Sequence, residues 1–217
     1  MELFAFDIEC CGQYPDYDTF LLEDERGANL FKKKFLKMGW DQKYESIDDA
    51  YIQNAGIITT YGKICCISFG YIDNNGDKQI RSYYGEDERE IVNNFNELLK
   101  KIETKSFKLS GFRIIYFDIP YVLHKLHKWG IKPANMIYLY DKKPWDVRIV
   151  DIADDWKQKF AWAFSFDEVA YELGINSPKE NMNGSEVHKY YHEGRLEDIK
   201  KYCEMDVDVS IEVAKKI

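Results

Sequence analysis

The sequence predicts an α/β fold, a mixed five-stranded sheet flanked by helices. Three observations predict it. Residues 63–84 read as two strands joined by a tight turn. From residue 86 onward, helical and strand-like runs alternate, which adds parallel strands and lays helices on both faces of the sheet. Of the 217 residues 45% are apolar and 16% aromatic, enough buried surface to offset the entropy of ordering the chain. The length suits a single domain over 1–217.

In chain order, residues 2–9 (ELFAFDIE) read as a buried strand that ends in acids. Residues 13–60 are irregular and rich in Tyr, Asp and Lys. They form an insertion between the first two strands, with amphipathic stretches at 29–38 and 46–55. A structureless loop of that length would be unusual, so helices are expected there. Residues 63–72 and 78–84 are strands joined by Asn74-Asn75-Gly76-Asp77, a hairpin signal. Ile91, Val92, Phe95, Leu98, Leu99 and Ile102 recur at helical spacing over 86–104. Strands at 107–112 and 147–152 bracket a helix that opens at Asp118. Pro120 sits in its first turn, where a missing N–H costs nothing, and Gly130 stops it. Helices over 165–173, 185–193 and 196–217 complete the chain.

Thirty-eight acids against thirty bases give a net charge of −8. That charge excludes a protein held on nucleic acid by bulk positive charge. It leaves room for one that grips a nucleic-acid end through metal ions, because acidic ligands lower the net charge before any cation binds. No apolar run approaches the length of a membrane span, and the first residues lack a basic n-region and an apolar h-region. A cytoplasmic protein without membrane contact is expected. The five cysteines lack the C-x2-C spacing of a zinc ribbon. If 8–11 and 63–68 were adjacent strands, the pairs Cys10-Cys11 and Cys65-Cys66 would approach each other and could bind a soft metal. The reading adopted is buried thiols in a reducing compartment.

Asp7 and Glu9 share one side of their strand, because side chains alternate with period two. Two like charges held that close are costly without a cation, and hard divalent metals want oxygen ligands. Alone, Asp-x-Glu arises easily by accident in a chain that is 31% charged. Asp118, alone, reads as a helix N-cap. Tyr202 and Asp206, at i and i+4, share one face of the last helix. The same spacing recurs at Tyr14/Asp18, Tyr44/Asp48 and Tyr83/Asp87, so by itself it means little. His188 and His192 are also i,i+4 and read as surface residues.

Taken together, these acids resemble the DEDD superfamily of 3′→5′ exonucleases, in the subtype with tyrosine in its third motif. Phe-Asp7-Ile-Glu9 looks like the first motif, Gly111-Phe112-Arg113-Ile-Ile-Tyr-Phe117-Asp118-Ile-Pro120 the second, and Tyr202-Cys-Glu-Met-Asp206-Val the third. The sequence is most similar to stand-alone predicted exonucleases related to the proofreading domain of family B DNA polymerases. Residues 174–187 (GINSPKENMNGSEV) and Lys143-Pro144-Trp145 match that group too. One departure is Arg113, where the second motif usually carries asparagine.

The resemblance implies a ribonuclease-H-like sheet that holds two Mg2+ or Mn2+ ions. Asp7 would bridge them, with Glu9 and Asp206 on the first ion and Asp118 on the second. Tyr202 would orient the attacking water, and nucleoside 5′-monophosphates would leave a single-stranded DNA or RNA 3′ end, DNA favoured. Phe112 and Phe117 are candidate base platforms, and Arg113 and Lys179 candidate phosphate contacts. The domain would act alone or beside a replication or repair polymerase. Two rival readings are an exoribonuclease and a catalytically silent domain that binds nucleic acid or a polymerase. The presence of all four acids and the tyrosine weighs against the silent one.

Overall fold

The computed structural model describes residues 2–140, 142–143, 146–160, 163–176 and 182–217. Strands β1 (Glu2–Gly12), β2 (Gly62–Ile72), β3 (Lys78–Tyr84), β4 (Phe107–Gly111) and β5 (Ile149–Asp151) form one five-stranded sheet in the order β3-β2-β1-β4-β5. β1 pairs antiparallel with β2 and parallel with β4, and β4 pairs parallel with β5. The sheet is therefore mixed, as expected from the sequence.

β1 is the central strand, and its alternation sets both cores. Phe4, Phe6 and Ile8 face the layer made by α4 (Glu88–Ile102) and α5 (Asp118–Lys128), packing with Phe95, Leu99 and Leu126. Ala5 faces the other way, against Val207 and Ile211 of α9 (Leu196–Ala214). Period two then places Asp7 and Glu9 beneath α9 as well. α4 forms because Asp87 caps it, accepting the Glu90 N–H, and because Ile91, Val92, Phe95, Leu99 and Ile102 make one buried stripe.

β1 does not stop at its acids. It runs on to Gly12, with the register shifting between Glu9, opposite Cys66, and Cys10, opposite Ile64. Cys65 is the extra residue of this bulge. As a result Cys65 and Cys66 both join Cys11 and Cys203 in one buried cluster. The segment between β1 and β2 carries α1 (Tyr17–Glu23), α2 (Glu25–Lys37) and α3 (Ile47–Asn54). These helices bury Tyr17, Phe20, Phe31, Tyr51 and Tyr61 in an aromatic core of their own. α2 and α3 match the amphipathic stretches. α1 has no such pattern in the sequence; its cap is Asp16, which accepts the Thr19 N–H at 2.6 Å. The remaining α-helices among the described residues are α6 (Ile152–Lys157), α7 (Phe166–Glu172) and α8 (Val187–His192). Among the described residues, no helix is long and apolar enough to cross a membrane.

A buried ion pair ties α4 and α5 to the start of β2. Glu88 and Lys125 are 5% and 2% exposed with 3.2 Å between their charged atoms. Glu88 also accepts the Ile64 N–H at 2.8 Å, while Lys125 donates to the carbonyls of Thr59 and Gly62.

The histidines of α8 are not surface residues. His188 is buried, and its Nδ1 accepts the Gly12 N–H at 3.0 Å, leaving Nε2–H to donate to Pro15 O at 2.9 Å. A Cβ on Gly12 would lie 2.8 Å from the His188 ring, so that close approach requires glycine. His192 Nε2 reaches Gly12 O at 3.1 Å. Burial lowers the pKa of both rings. At His188 this outweighs the hydrogen bond to Pro15 and the Asp48 and Asp16 carboxylates; at His192 the neighbouring His188 adds to it. A lowered histidine pKa means that the unfolded chain takes up the proton first. Stability from this latch is thus full above about pH 6.5 and falls as the pH drops through and below that value. The melting temperature of wild type minus that of His188→Gln is expected to shrink between pH 7 and pH 5. A difference that does not change with pH would show that His188 keeps its proton balance on unfolding.

Candidate active site

The first strand, the start of α5 and the last helix converge. β1 contributes Asp7 and Glu9, α5 contributes Asp118, and α9 contributes Tyr202 and Asp206 with Cys203 between them. Glu9, Asp118, Tyr202 and Asp206 are buried, at 8%, 3%, 7% and 9% exposure. Asp7 remains partly open to solvent.

Asp118 is the first residue of α5, but its side chain does not cap that helix. Oδ1 accepts the Ile8 N–H of β1 at 3.1 Å, across 110 residues of sequence. The β1–β4 pairing reaches only to Ala5 opposite Ser110, so Asp118 serves a strand N–H beyond the end of the ladder. Gly111 allows this close approach, since a Cβ there would lie 2.7 Å from Phe6 O.

The acids raise one another's pKa values. Asp7 is held well above the usual carboxylate range by burial first, then by the Asp118 and Asp206 carboxylates, with the Cys203 thiol opposing. Glu9 is raised by burial, then by Asp7 and Asp206. Asp118 is pushed up to about 7 by burial, against the opposing hydrogen bond from Ile8; Asp151 and Asp206 add to the rise. Burial raises Tyr202 too, helped by Glu9, Asp206 and Asp7 and by its hydrogen bond to Asp206. Tyr202 therefore keeps its proton at neutral pH, which makes it a hydrogen-bond donor and not a base. Donor atoms of Asp7, Glu9 and Cys203 lie within 4.8 Å of one another. Crowded carboxylates that resist ionisation suit divalent cations, which supply the missing positive charge.

The loop before Asp118 is organised by a residue the sequence reading missed. Asp151 is 3% exposed. It accepts the N–H groups of Arg113, Ile115 and Ala153 at 3.0, 3.0 and 3.1 Å. One carboxylate thus caps α6 and pins the turn that leads into α5. An Asp between a strand and a helix was the available signal, hidden because 147–152 reads as strand to its end. Arg113 adopts φ 59, the left-handed region. Asparagine tolerates that backbone better than arginine, so the asparagine usual at this place in the second motif suits the turn itself. Arg113→Asn is expected to raise stability by up to about 1 kcal/mol, a few degrees in melting temperature. A fall would show that the Arg113 guanidinium, 5.6 Å from the Phe112 ring centroid and 3.5 Å from Phe164 O, contributes more than the strain costs.

Phe112 packs against Phe166 with ring centroids 5.1 Å apart, and Phe117 packs against Tyr121 at 5.5 Å; both are half-buried. The ring that stands out is Tyr116, 67% exposed, with its hydroxyl donating to Asp154 at 2.9 Å. Lys179 and the Pro144-Trp145 pair lie outside the described residues.

The model of a family described as predicted 3′-5′ exonucleases related to the exonuclease domain of PolB matches residues 57–210. The chain belongs to this family. It is a 3′-5′ exonuclease domain of the PolB type, and the family implies use of divalent cations. The fold is also found in a family B DNA polymerase of Pyrobaculum calidifontis, at a TM-score of 0.60 and 16% identity, over 100% of this chain and 24% of the polymerase. It is found again in E. coli Exonuclease I in complex with a dT13 oligonucleotide, at a TM-score of 0.51 and 10% identity, over 99% of this chain and 40% of that one. The exonuclease domain thus spans well under half of either neighbour. No protein of curated function matches it in sequence.

Proposed function

We propose that the chain hydrolyses single-stranded nucleic acid from its 3′ end, DNA favoured, releasing nucleoside 5′-monophosphates with two divalent cations, Mg2+ or Mn2+. The observation that carries this reading is the convergence of the Asp7, Glu9, Asp118 and Asp206 carboxylates beside a protonated Tyr202. Asp7 would be the ligand shared by both ions, Glu9 and Asp206 would hold one of them, and Asp118 would serve the other. Bound cations lower the pKa of the attacking water and stabilise the leaving 3′-oxygen. Tyr202, whose hydroxyl donates to Asp206 in the cation-free site, would turn that O–H to the water once Asp206 holds a cation. Asp118 is held in place by the Ile8 N–H, so its carboxylate keeps a fixed direction.

The strand would approach over the turn before α5. There Arg113 offers a planar cation for a phosphate and Tyr116 an exposed ring for a base. Phe112 and Phe117, both half-buried, offer further ring faces for the terminal bases, and Lys179 is the further phosphate contact. The oligonucleotide bound to the Exonuclease I neighbour supports a single-stranded substrate. Residues 13–60 form an insertion within one exonuclease domain, consistent with their separate aromatic core.

The test is digestion of 3′- and 5′-labelled DNA and RNA oligonucleotides with Mn2+ and with EDTA. Loss of the 3′ label as mononucleotide, abolished by EDTA, is expected. Release from the 5′ end, or indifference to EDTA, would overturn the reading, and faster cleavage of RNA would reassign the sugar. Tyr202→Phe is expected to slow turnover by about 10–100-fold, the usual cost of losing a group that orients a metal site. It should leave the Mn2+-induced rise in melting temperature intact; loss of that rise would make Tyr202 a metal-holding residue.

A further inference from the structure

We propose that Asp7, Glu9 and Cys203 form a mixed carboxylate–thiolate site for a zinc-like divalent cation, overlapping the site of the hard cations and competing with them. The inference rests on the reading of Asp7 and Glu9 as metal ligands.

The donor set is the first ground. Cys203 is fully buried and its Sγ lies 3.5 Å from Asp7 Oδ2. In a tetrahedral shell with Zn–S of about 2.3 Å and Zn–O of about 2.0 Å, the S···O edge is about 3.5 Å. The thiol therefore already stands at a ligand's distance from its neighbour, and the Glu9 donor lies within 4.8 Å of both. Glu9 is the second ground. It is 8% exposed, and no described residue donates a hydrogen bond to its carboxylate. Its electrostatic neighbours are Asp7, Asp206, Cys65 and Cys66, all of which disfavour its charge. A nearly buried carboxylate grouped with another carboxylate and a thiol is a costly arrangement that a cation relieves.

The fold explains how the thiol arrives there. Cys203 sits one residue past Tyr202 and three before Asp206, so α9 carries all three residues over β1 together. Its Sγ also donates to the Asp7 carbonyl, at 3.5 Å, which holds the thiol in place before any ion enters. On binding, the S–H bond breaks, the sulfur keeps the electron pair for the metal, and the proton leaves to solvent. Mg2+ has little affinity for sulfur, whereas Zn2+, Co2+ and Cd2+ gain by it. Cys203 thereby sets the metal preference of the site, and a thiophilic cation seated on Asp7 and Glu9 keeps the hard cations out.

The test uses the full chain, reduced and free of nucleic acid, titrated with Co2+ and separately with Cd2+. A saturable thiolate-to-metal charge-transfer absorption in the ultraviolet is expected, and added Mn2+ should suppress it. Cys203→Ser and Cys203→Ala should lose the absorption and bind Co2+ more than about 100-fold more weakly, beyond the usual cost of losing an outer-shell partner. Asp7→Asn and Glu9→Gln, which leave every thiol in place, should weaken the band in the same titration. Cys66→Ala should retain it. The proposal is overturned if wild type shows no band, if the band survives in either Cys203 variant, or if it is unchanged in Asp7→Asn. Because the readout needs no catalysis, an inactive protein that shows the band would refute the exonuclease reading alone. An active protein without the band would refute only the thiolate site.

Discussion

Asp7→Asn is expected to abolish digestion of a 3′-labelled single strand, with a rate loss of more than about 100-fold, at least that of removing one charge-stabilising group from an active site. Asparagine keeps the shape of the side chain and removes the charge that both cations would share. A variant that kept more than a few per cent of wild-type rate would show that Asp7 does not bridge. The same change has a second, opposite effect. Asp7 has a raised pKa in the fold because desolvation, then the neighbouring Asp118 and Asp206 carboxylates, disfavour its charge. The stability it contributes is therefore full below the ordinary carboxylate pKa and is lost as pH rises through the raised value. In EDTA at pH 8, Asp7→Asn should melt at a higher temperature than wild type. Inactive and more stable together is the signature of a residue kept for chemistry at the expense of the fold.

Lys125→Ala is expected to act in the other direction, by about 3–5 kcal/mol of lost stability, the usual cost of breaking a buried ion pair from one side. For a chain of 217 residues that corresponds to roughly 10 °C in melting temperature. Removing the lysine leaves Glu88 buried and charged, and strips the Thr59 and Gly62 carbonyls of their donor. Lys128, 3.1 Å from Glu88, and Trp129 Nε1, 3.2 Å from it, would still hold the carboxylate in part. Lys125→Met combined with Glu88→Gln should recover a large share of the loss, since neither side then carries an unpaired charge. If the double variant is as unstable as Lys125→Ala, the hydrogen bonds to Thr59 and Gly62 carry the stability and the charge pairing does not.

Much of this architecture is legible in the residues. The alternation of Phe4, Phe6 and Ile8 against Asp7 and Glu9 states which side of β1 is core and which is site. The stripe from Ile91 to Ile102 states α4. What escapes is what depends on a partner distant in sequence. The bulge at Cys65 is a register shift between two strands, and a single strand does not encode its own register. α6 hides because it is six residues long and follows β5 without a break. Asp118 reads as a cap until β1 is known to leave an N–H for it. The convergence of the four acids came from resemblance to a known arrangement, because spacing alone places Asp7 and Asp206 nowhere in particular. Cys203 could have been found at that stage. Cys203 lies three residues before Asp206, so the two share one face of the helix.

The site is built from segments far apart in the chain. Asp7 and Cys203 touch across 196 residues, and β1 gains its neighbours only from residues 62–72 and 107–111. Contacts of such long range form slowly, because the loops must close before they are rewarded. The centre therefore exists only where the whole sheet and the last helix are in place, so its integrity reports on the integrity of the fold.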